Sequence, residues 1–395
     1  MRQTDNQTIA TLAAEFGTPL WVYDAATIRN RIAALRQFDT IRFAQKACSN
    51  THILRLMRAE GVKVDAVSAG EIERALHAGY VAGSETHEIV FTADVIDRAT
   101  LELVAQHGIP VNAGSIDMLE QLGARSPGHE VWLRINPGFG HGHSQKTNTG
   151  GEQSKHGIWH SDLPRALTAI ARHQLKLIGI HMHIGSGVDY SHLSNVCDAM
   201  VDLVTGMGHD LQAISAGGGL SIPYRAGEPQ VDTAHYFSLW DDARRRIAAH
   251  LGHAVQLEIE PGRYLMAESG CLISEVRAVK DMGANHFVLV DAGFNELMRP
   301  AMYGSYHEIS LASDTAGRAG RDCVVAGPLC ESGDVFTQED GGIVTRRALP
   351  DPQLGDLLVF HDTGAYGASM SSNYNSRPLI AEVLVENGRG RLIRR

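Results

Sequence analysis

Cysteine is scarce in this chain. Its five residues (Cys48, Cys197, Cys271, Cys323 and Cys330) are odd in number, widely spaced and in no CxxC pair. That pattern excludes a disulfide framework and a thiolate metal cluster, and it suits reduced thiols in a cytoplasm. No apolar run reaches membrane length, although 44% of the residues are hydrophobic, so no membrane span is expected. The segment 1–16 is polar, carries acids and lacks an apolar signal region, which argues against secretion. No basic block stands out and the net charge is −10, so nucleic acid is not an expected partner. No internal repeat is visible. What remains is a soluble chain of 395 residues, long enough for two domains and a large core.

The apolar residues that are present come in two textures. Leu20 to Asp24 reads as a strand after an N-terminal helix. From Ile41 short apolar runs alternate with amphipathic stretches: strands are expected at 41–47, 63–68, 89–93, 110–115, 131–137, 177–186, 211–217 and 255–261. Helices are expected between them, for example at 70–79, 97–107, 162–173, 191–204 and 233–251. Eight such strands over about 220 residues match a (β/α)₈ barrel, with a doubly wound open sheet as the alternative. After Tyr264 the helical periods fade. Short strands at 271–279, 286–291, 322–327, 343–348, 356–361 and 379–385 predict a mostly β second domain, with a flexible loop at 311–321. The expected class is therefore α/β: a TIM-type barrel over 25–265, a β-rich C-terminal domain over 266–395, and a segment 1–24 that packs with the β domain.

Chemistry in a barrel sits at the carboxyl ends of its strands. Lys46 lies near the end of the first, in Phe43-Ala44-Gln45-Lys46-Ala47-Cys48. An ammonium there reaches solvent, joins a buried ion pair, or forms a Schiff base with a carbonyl cofactor such as pyridoxal phosphate (PLP). Later strand ends bring Asp65 and Ser68, then Arg134 and Asn136, then His181, His183, Gly185 and Ser186. The last two bring Gly217-Gly218-Gly219, and Glu258 and Glu260 followed by Pro261-Gly262-Arg263. The three glycines suit a phosphate's close approach or a plain tight turn, and Ser186 and Arg263 would complete a phosphate cup. His181 and His183 share one strand face. They have no third and fourth ligand at metal spacing, which leaves a ring stacked on a cofactor or a core histidine. Glu260 would hold a pyridine nitrogen protonated, or else form an ion pair, with Arg134 as one choice. The loop 138–157, rich in Gly and His, is long enough to be a functional lid, and a metal reading of its His141-Gly142-His143 is weak.

In the second domain, Gly327 to Asp334 sets Cys330 beside Glu331 and Asp334, and Asp362 to Ala368 sets Tyr366 among small residues. Cys330 is a tuned proton donor or simply a small buried thiol. Arg299, near Asn295 and Tyr303, is a carboxylate clamp or a surface arginine.

Together the motifs FAQKACSN, DAVSAGE, HMHIGSG, SAGGGL, EPGRY, AMYGSYH, GPLCESGDVF and DTGAYGASMSSNYNSRP resemble the diaminopimelate decarboxylases, in their enterobacterial-type form. These belong to the fold type III, alanine-racemase-like PLP decarboxylases. The resemblance covers nearly the whole chain. It implies PLP-dependent conversion of meso-2,6-diaminopimelate to L-lysine and CO₂, the last step of lysine biosynthesis through diaminopimelate. It implies that Lys46 holds PLP as a Schiff base and that His183 stacks on the ring. Ser186, Gly217, Gly218, Gly219 and Gly262 would surround the phosphate, and Glu260 would pair with the ring nitrogen. Asp65 and Arg134 would support the ring, and Arg263 would bind phosphate edge or substrate. Arg299, Tyr303 and Glu331 would hold the substrate's far end, Tyr366 would touch cofactor and substrate, and Cys330 would donate the proton. No metal is implied. The resemblance also implies a cytoplasmic homodimer with shared sites, Cys330 and Glu331 arriving from the partner subunit. Glu260 argues against a racemase, since alanine racemases typically place an arginine at that nitrogen. Members usually run past an RLIRR motif into a closing helix, whereas this sequence stops at Arg395.

Overall fold

A computed structural model describes residues 5–83, 85–139, 150–183 and 189–395. Two compact units emerge. One holds 32–221 and 231–262; the other holds 1–31, 222–230 and 263–395.

The first unit is a closed barrel. In chain order, after β1 (Leu20–Asp24) of the other unit, its strands are β2 (Thr40–Ala44), β3 (Lys63–Ala66), β4 (Ile89–Ala93), β5 (Val111–Ala113) and β6 (Glu130–Asn136). They continue, past the short side strand β7 (Ile158–Trp159), with β8 (Lys176–His181), β9 (Ala213–Ser215) and β10 (Gln256–Ile259). Every pairing is parallel, and β5 against β6 and β10 against β2 close the ring. The helices between strands begin where the sequence supplies an oxygen. Asn50 caps Thr51–Ala59, Ser68 caps Ala69–Ala78, Asp97 caps Arg98–His107 and Ser115 caps Ile116–Arg125, each accepting an otherwise orphaned backbone N–H.

Several expected boundaries shift. The strand expected over 41–47 ends at Ala44, and Gln45–Ala47 form a 3₁₀ turn. The reason is a backbone bond that leaves the barrel ladder: the Ala44 N–H goes to the Pro261 carbonyl at 3.3 Å. Lys46 therefore stands exposed on a turn, between the buried Gln45 and Ala47, rather than on a strand. The strand expected over 343–348 splits into Ile343–Val344 and Arg347–Pro350. Within 311–321, Arg318 is tied to the buried Asp356, so this stretch is anchored at its centre.

The barrel interior is polar at the strands' amino ends. Arg42 on β2 meets Glu258 on β10 through two bonds, Nε–Oε2 at 2.6 Å and Nη2–Oε1 at 3.0 Å, and both side chains are buried. Arg42 also reaches the His87 carbonyl just before β4. Glu258, which sequence reading placed among the site residues, is thus the counter-ion of a structural arginine.

The second unit is a sheet around β11 (Gly270–Met282). The N-terminal β1 runs between β11, antiparallel, and a late strand at Glu382–Glu386, parallel. Leu20, Val22, Cys271, Ile273, Val359 and Val383 form its core, with Ile9 and Leu12 of the first helix against them. Strands at Ile309–Leu311 and Arg389–Arg394 join this sheet without having been expected. Among the described residues no helix is long and apolar enough to cross a membrane.

Replacing Arg42 by Met strands the Glu258 carboxylate in the interior. Urea unfolding of Arg42→Met is expected to show a loss of about 3–5 kcal/mol, with the Arg42→Met/Glu258→Met pair recovering most of it.

Candidate active site

At the opposite, carboxyl end of the barrel lies a layer with different chemistry. Glu260 follows β10, two residues beyond Glu258, and faces the same way. Its Oε2 lies 2.8 Å from His181 Nε2, and its Oε1 accepts the Ser215 hydroxyl at 2.8 Å. Arg134, one candidate for its ion-pair partner, is not among these bonds. Burial pushes the Glu260 carboxyl up. The charge and hydrogen bond of His181, with the Ser215 bond, outweigh burial and bring it to about 2. Glu260 is therefore ionised at neutral pH, and a carboxylate with two bonds keeps lone pairs for a third.

Asp65, at the end of β3, goes the other way. Burial first, then the Glu260 charge, drives its carboxyl well above the usual range, against a bond from Thr92 and the attraction of Lys46. Its Oδ1 is buried without a hydrogen bond. The two acids are pushed in opposite directions, Glu260 down and Asp65 up, as close carboxylates in low dielectric require.

His183 is neutral. Burial, and then the charges of Arg134, Lys46 and His181, hold it well below the ordinary histidine range. Its Nδ1 accepts the Gly218 N–H at 2.9 Å, which fixes the ring's orientation. The glycines explain themselves by approach distances. A Cβ on Gly217 would lie 2.5 Å from the Met182 carbonyl, and one on Gly218 would lie 2.6 Å from the Glu260 carbonyl. Gly217 also needs a left-handed φ of +61°. A Cβ on Gly262 would press at 3.2 Å on the turn that carries Lys46.

Lys46 lies close enough for its charge to act on Asp65, Glu71 and His183. Gln45 donates to the Glu71 carbonyl at 3.0 Å, and Glu71 accepts the Val67 N–H at 2.8 Å, so the turn and the start of the next helix brace each other. Arg134 is buried among Asp94, Glu260 and Asp65. The structure thus brings Lys46, Asp65, Arg134, His183, Gly217, Gly218 and Glu260 to one end of the barrel. Ser186 and Gly185 lie outside the described residues, as do the middle of the 138–157 loop and its His141 and His143.

The stems of that loop are described; they are held by Asn136, named from the sequence as a strand-end residue without this role, and by Asp94, which was not named. Asn136 Oδ1 accepts N–H bonds from Gly138 at 3.1 Å and Gly151 at 2.9 Å, while its Nδ2 donates to the carbonyls of Gly151 and His156. Asp94, at the end of β4, accepts from the Gly157 N–H and pairs with His156.

In the β unit a second cluster forms. Arg263 and Arg299 both donate to the Tyr224 hydroxyl, at 2.8 and 3.2 Å. The Arg263 guanidinium lies 5.0 Å from the Tyr366 ring centre, and Tyr366 holds a left-handed φ of +58°, a strained setting for a tyrosine. Arg299 is buried, so the surface reading of it does not hold, and it also bonds His307 Nε2 at 2.9 Å. Tyr303 closes the same short helix, Arg299–Tyr303. Cys330 and Glu331 are exposed on the single chain, which corrects the buried-thiol alternative for Cys330. Asp334 behind them is buried and accepts the N–H groups of Phe294 and Leu329 at 2.7 and 2.8 Å, so it shapes the turn rather than sharing the chemistry. Tyr224 and His307 were missed: Tyr224 sits in a Pro-flanked connection that resembles an ordinary strand-to-helix link. Among the described residues, no group of three or more His, Cys, Asp or Glu is placed to hold a metal.

The barrel residues fit a pyridine-ring aldehyde: an ionised carboxylate, a neutral fixed imidazole, an accessible amine and a backbone cradle with no room for a Cβ. The comparisons agree. Residues 25–267 match the model of the pyridoxal-dependent decarboxylase, pyridoxal binding domain. The diaminopimelate decarboxylase of Escherichia coli (strain K12) is 71% identical over 390 residues, 97% of this chain and 92% of that protein. That of Streptomyces coelicolor is 66% identical over 394 residues, 99% of this chain and 90% of that one. A crystal structure of diaminopimelate decarboxylase superposes with a TM-score of 0.96 at 69% identity, covering 99% of this chain and 94% of that one.

The two acids predict opposite effects on stability. Glu260's lowered value adds stability that is full above about 4.5, the ordinary value for a glutamate, and is lost as pH falls toward about 2. The cost of Glu260→Gln should therefore be largest at neutral pH and shrink in acid. Asp65's raised value costs stability once pH rises past 3.8, the ordinary value for an aspartate. Asp65→Asn should melt higher than the parent at pH 7 and lose that advantage below about pH 3.8, as read by thermal unfolding across pH.

Proposed function

The chain belongs to the pyridoxal-dependent decarboxylase family, and on that premise we propose that it removes one carboxylate from meso-2,6-diaminopimelate, giving L-lysine and CO₂ as the last step of lysine biosynthesis. It is a PLP-dependent carboxy-lyase. The observation that carries the chemistry is Glu260, ionised inside the barrel and braced by His181 and Ser215.

When bound, PLP supplies an electron sink for the pair left by the departing carboxylate. Glu260 would keep a proton on the ring nitrogen, because an anion beside it favours the charged ring. Neutral His183, pinned by the Gly218 N–H, offers a flat face without adding a competing charge. Lys46 would hold the cofactor covalently, and its exposed position on the turn lets the amine leave and return. Asp65 and Arg134 would support the ring, Gly217, Gly218, Gly219, Gly262 and Ser186 its phosphate, and Tyr366 would touch both cofactor and substrate.

The substrate has two amino-acid heads of opposite hand. Reading the far head selects which end reacts: Arg299, Tyr303 and Arg263 would take its carboxylate and Glu331 its ammonium. Cys330 would protonate the carbon that lost CO₂. The exposure of Cys330 and Glu331 supports a homodimer in which each chain lends this turn to its partner subunit's site. A cytoplasmic location is part of the same reading.

Product analysis tests the substrate. PLP-loaded protein should release CO₂ and L-lysine from meso-diaminopimelate and nothing from ornithine, arginine or carboxynorspermidine; release from one of those alone would overturn the roles of Arg299 and Glu331. Lys46→Ala should lose the cofactor's visible absorption and all turnover. Cys330→Ala should lower kcat by about 10²–10⁴-fold with KM little changed.

A further inference from the structure

The two arginines of the β unit pose an electrostatic problem. Arg299 is buried, and the Arg263 charge acts against it. Neither forms an ion pair with a carboxylate among the described residues; the groups that favour their charge are phenols, Tyr224 foremost. Two like charges, one buried and one half-buried, without a carboxylate counter-ion separate, turn to water, or are held for an anion that arrives later.

Here they are held. Tyr224 gives its phenolic oxygen to Arg263 Nη1 at 2.8 Å and to Arg299 Nη1 at 3.2 Å. His307 takes the same Arg299 nitrogen at 2.9 Å through Nε2, and its Nδ1 faces the His361 carbonyl at 2.8 Å. A carbonyl accepts only a proton-bearing nitrogen, so Nδ1 carries the hydrogen and Nε2 is the acceptor. Burial, then the Arg299 charge, keeps this imidazole neutral. All of these bonds use Nη1 atoms. Among the described residues no other side-chain bond engages either guanidinium, which leaves their Nε and Nη2 edges for an incoming carboxylate, the planar edge that binds such a group bidentately.

The chain goes out of its way to deliver Tyr224. Residues 222–230 interrupt the barrel sequence and belong to the β unit. The excursion is anchored twice. Glu228 Oε2 accepts the Tyr224 and Arg225 N–H groups at 2.8 and 3.1 Å, and the Tyr306 ring has Arg225 4.0 Å from its centre and Arg347 at 4.2 Å. Burial raises the Tyr224 phenol, but the charges of Arg263 and Arg299 bring it below the ordinary tyrosine value, with Asp362 opposing.

We propose that Tyr224, backed by His307, is a positioning residue that locks Arg263 and Arg299 into one carboxylate-binding fork for the far head of the substrate. This rests on the reading that these arginines bind that head. Tyr224 itself touches no reacting atom.

The test is Y224F in the PLP-loaded enzyme. KM for meso-diaminopimelate should rise about tenfold while kcat stays within about threefold. The inhibition constant of L-lysine, which keeps the far carboxylate, should rise in parallel; that of cadaverine, which has none, should stay within about twofold. His307→Leu should show the same split. An unchanged KM, a cadaverine constant that rises as much as lysine's, or kcat and KM worsening together with a lowered melting temperature would each overturn the proposal by making Tyr224 inert or merely structural. If Y224F does not fold, His307→Leu decides by the same criteria. Parent enzyme that releases no CO₂ from meso-diaminopimelate would instead sink the substrate reading itself.

Discussion

Glu260 keeps its charge where a lone carboxylate would take up a proton. Two bonds of 2.8 Å, from His181 and Ser215, hold it ionised, and its neighbours adjust to it. Asp65, buried and close enough to feel that charge, is pushed the other way, well above the usual carboxylate range. His183, facing Lys46 and Arg134, gives its proton up. The ring of ionisable groups therefore reaches a definite pattern of charges before any ligand arrives. Catalysis by a bound ring needs that pattern, because dipoles and charges set in advance need no rearrangement during reaction.

The same strands serve two purposes at two depths. Glu258 and Glu260 differ by two residues and point the same way, yet the first neutralises Arg42 at the amino end and the second equips the site at the carboxyl end. This division is general to barrels, where conserving the fold and doing chemistry are tasks of opposite faces. In the β unit the division is by bond rather than by depth: each arginine bonds the protein through Nη1, and in the proposed reading its other edge serves the substrate.

Much of this was legible in the residues. Alternating runs placed the barrel strands within a few positions, and Leu20–Asp24 was located to its ends. The strand-end residues Lys46, Asp65, His183 and Glu260 followed from knowing where barrels carry chemistry. Three things were not legible, each for a physical reason. The turn beneath Lys46 depends on a bond from Ala44 to Pro261, and sequence order does not show that meeting. Glu258 looked like a site residue because its arginine lies 216 positions away. Tyr224 looked like linker because the excursion that carries it has no period, only prolines and a tyrosine whose partners Arg263 and Arg299 come 39 and 75 positions later. Cys330 and Glu331 were named from their motif, and only the structure shows them standing on an exposed turn shaped by Asp334.

Asn136 has one consequence for how such a barrel changes over time. Its single carboxamide ties both stems of the insertion after β6, through backbone groups of Gly138, Gly151 and His156 alone. Because the carboxamide reads only main-chain atoms, it sets no requirement on the side chains of what lies between the stems, while His156, paired with Asp94, adds a side-chain tie of its own. Evolution, or an engineer, can rewrite that stretch as an interchangeable cassette while the strand register and the charges at the barrel's end stay as they are.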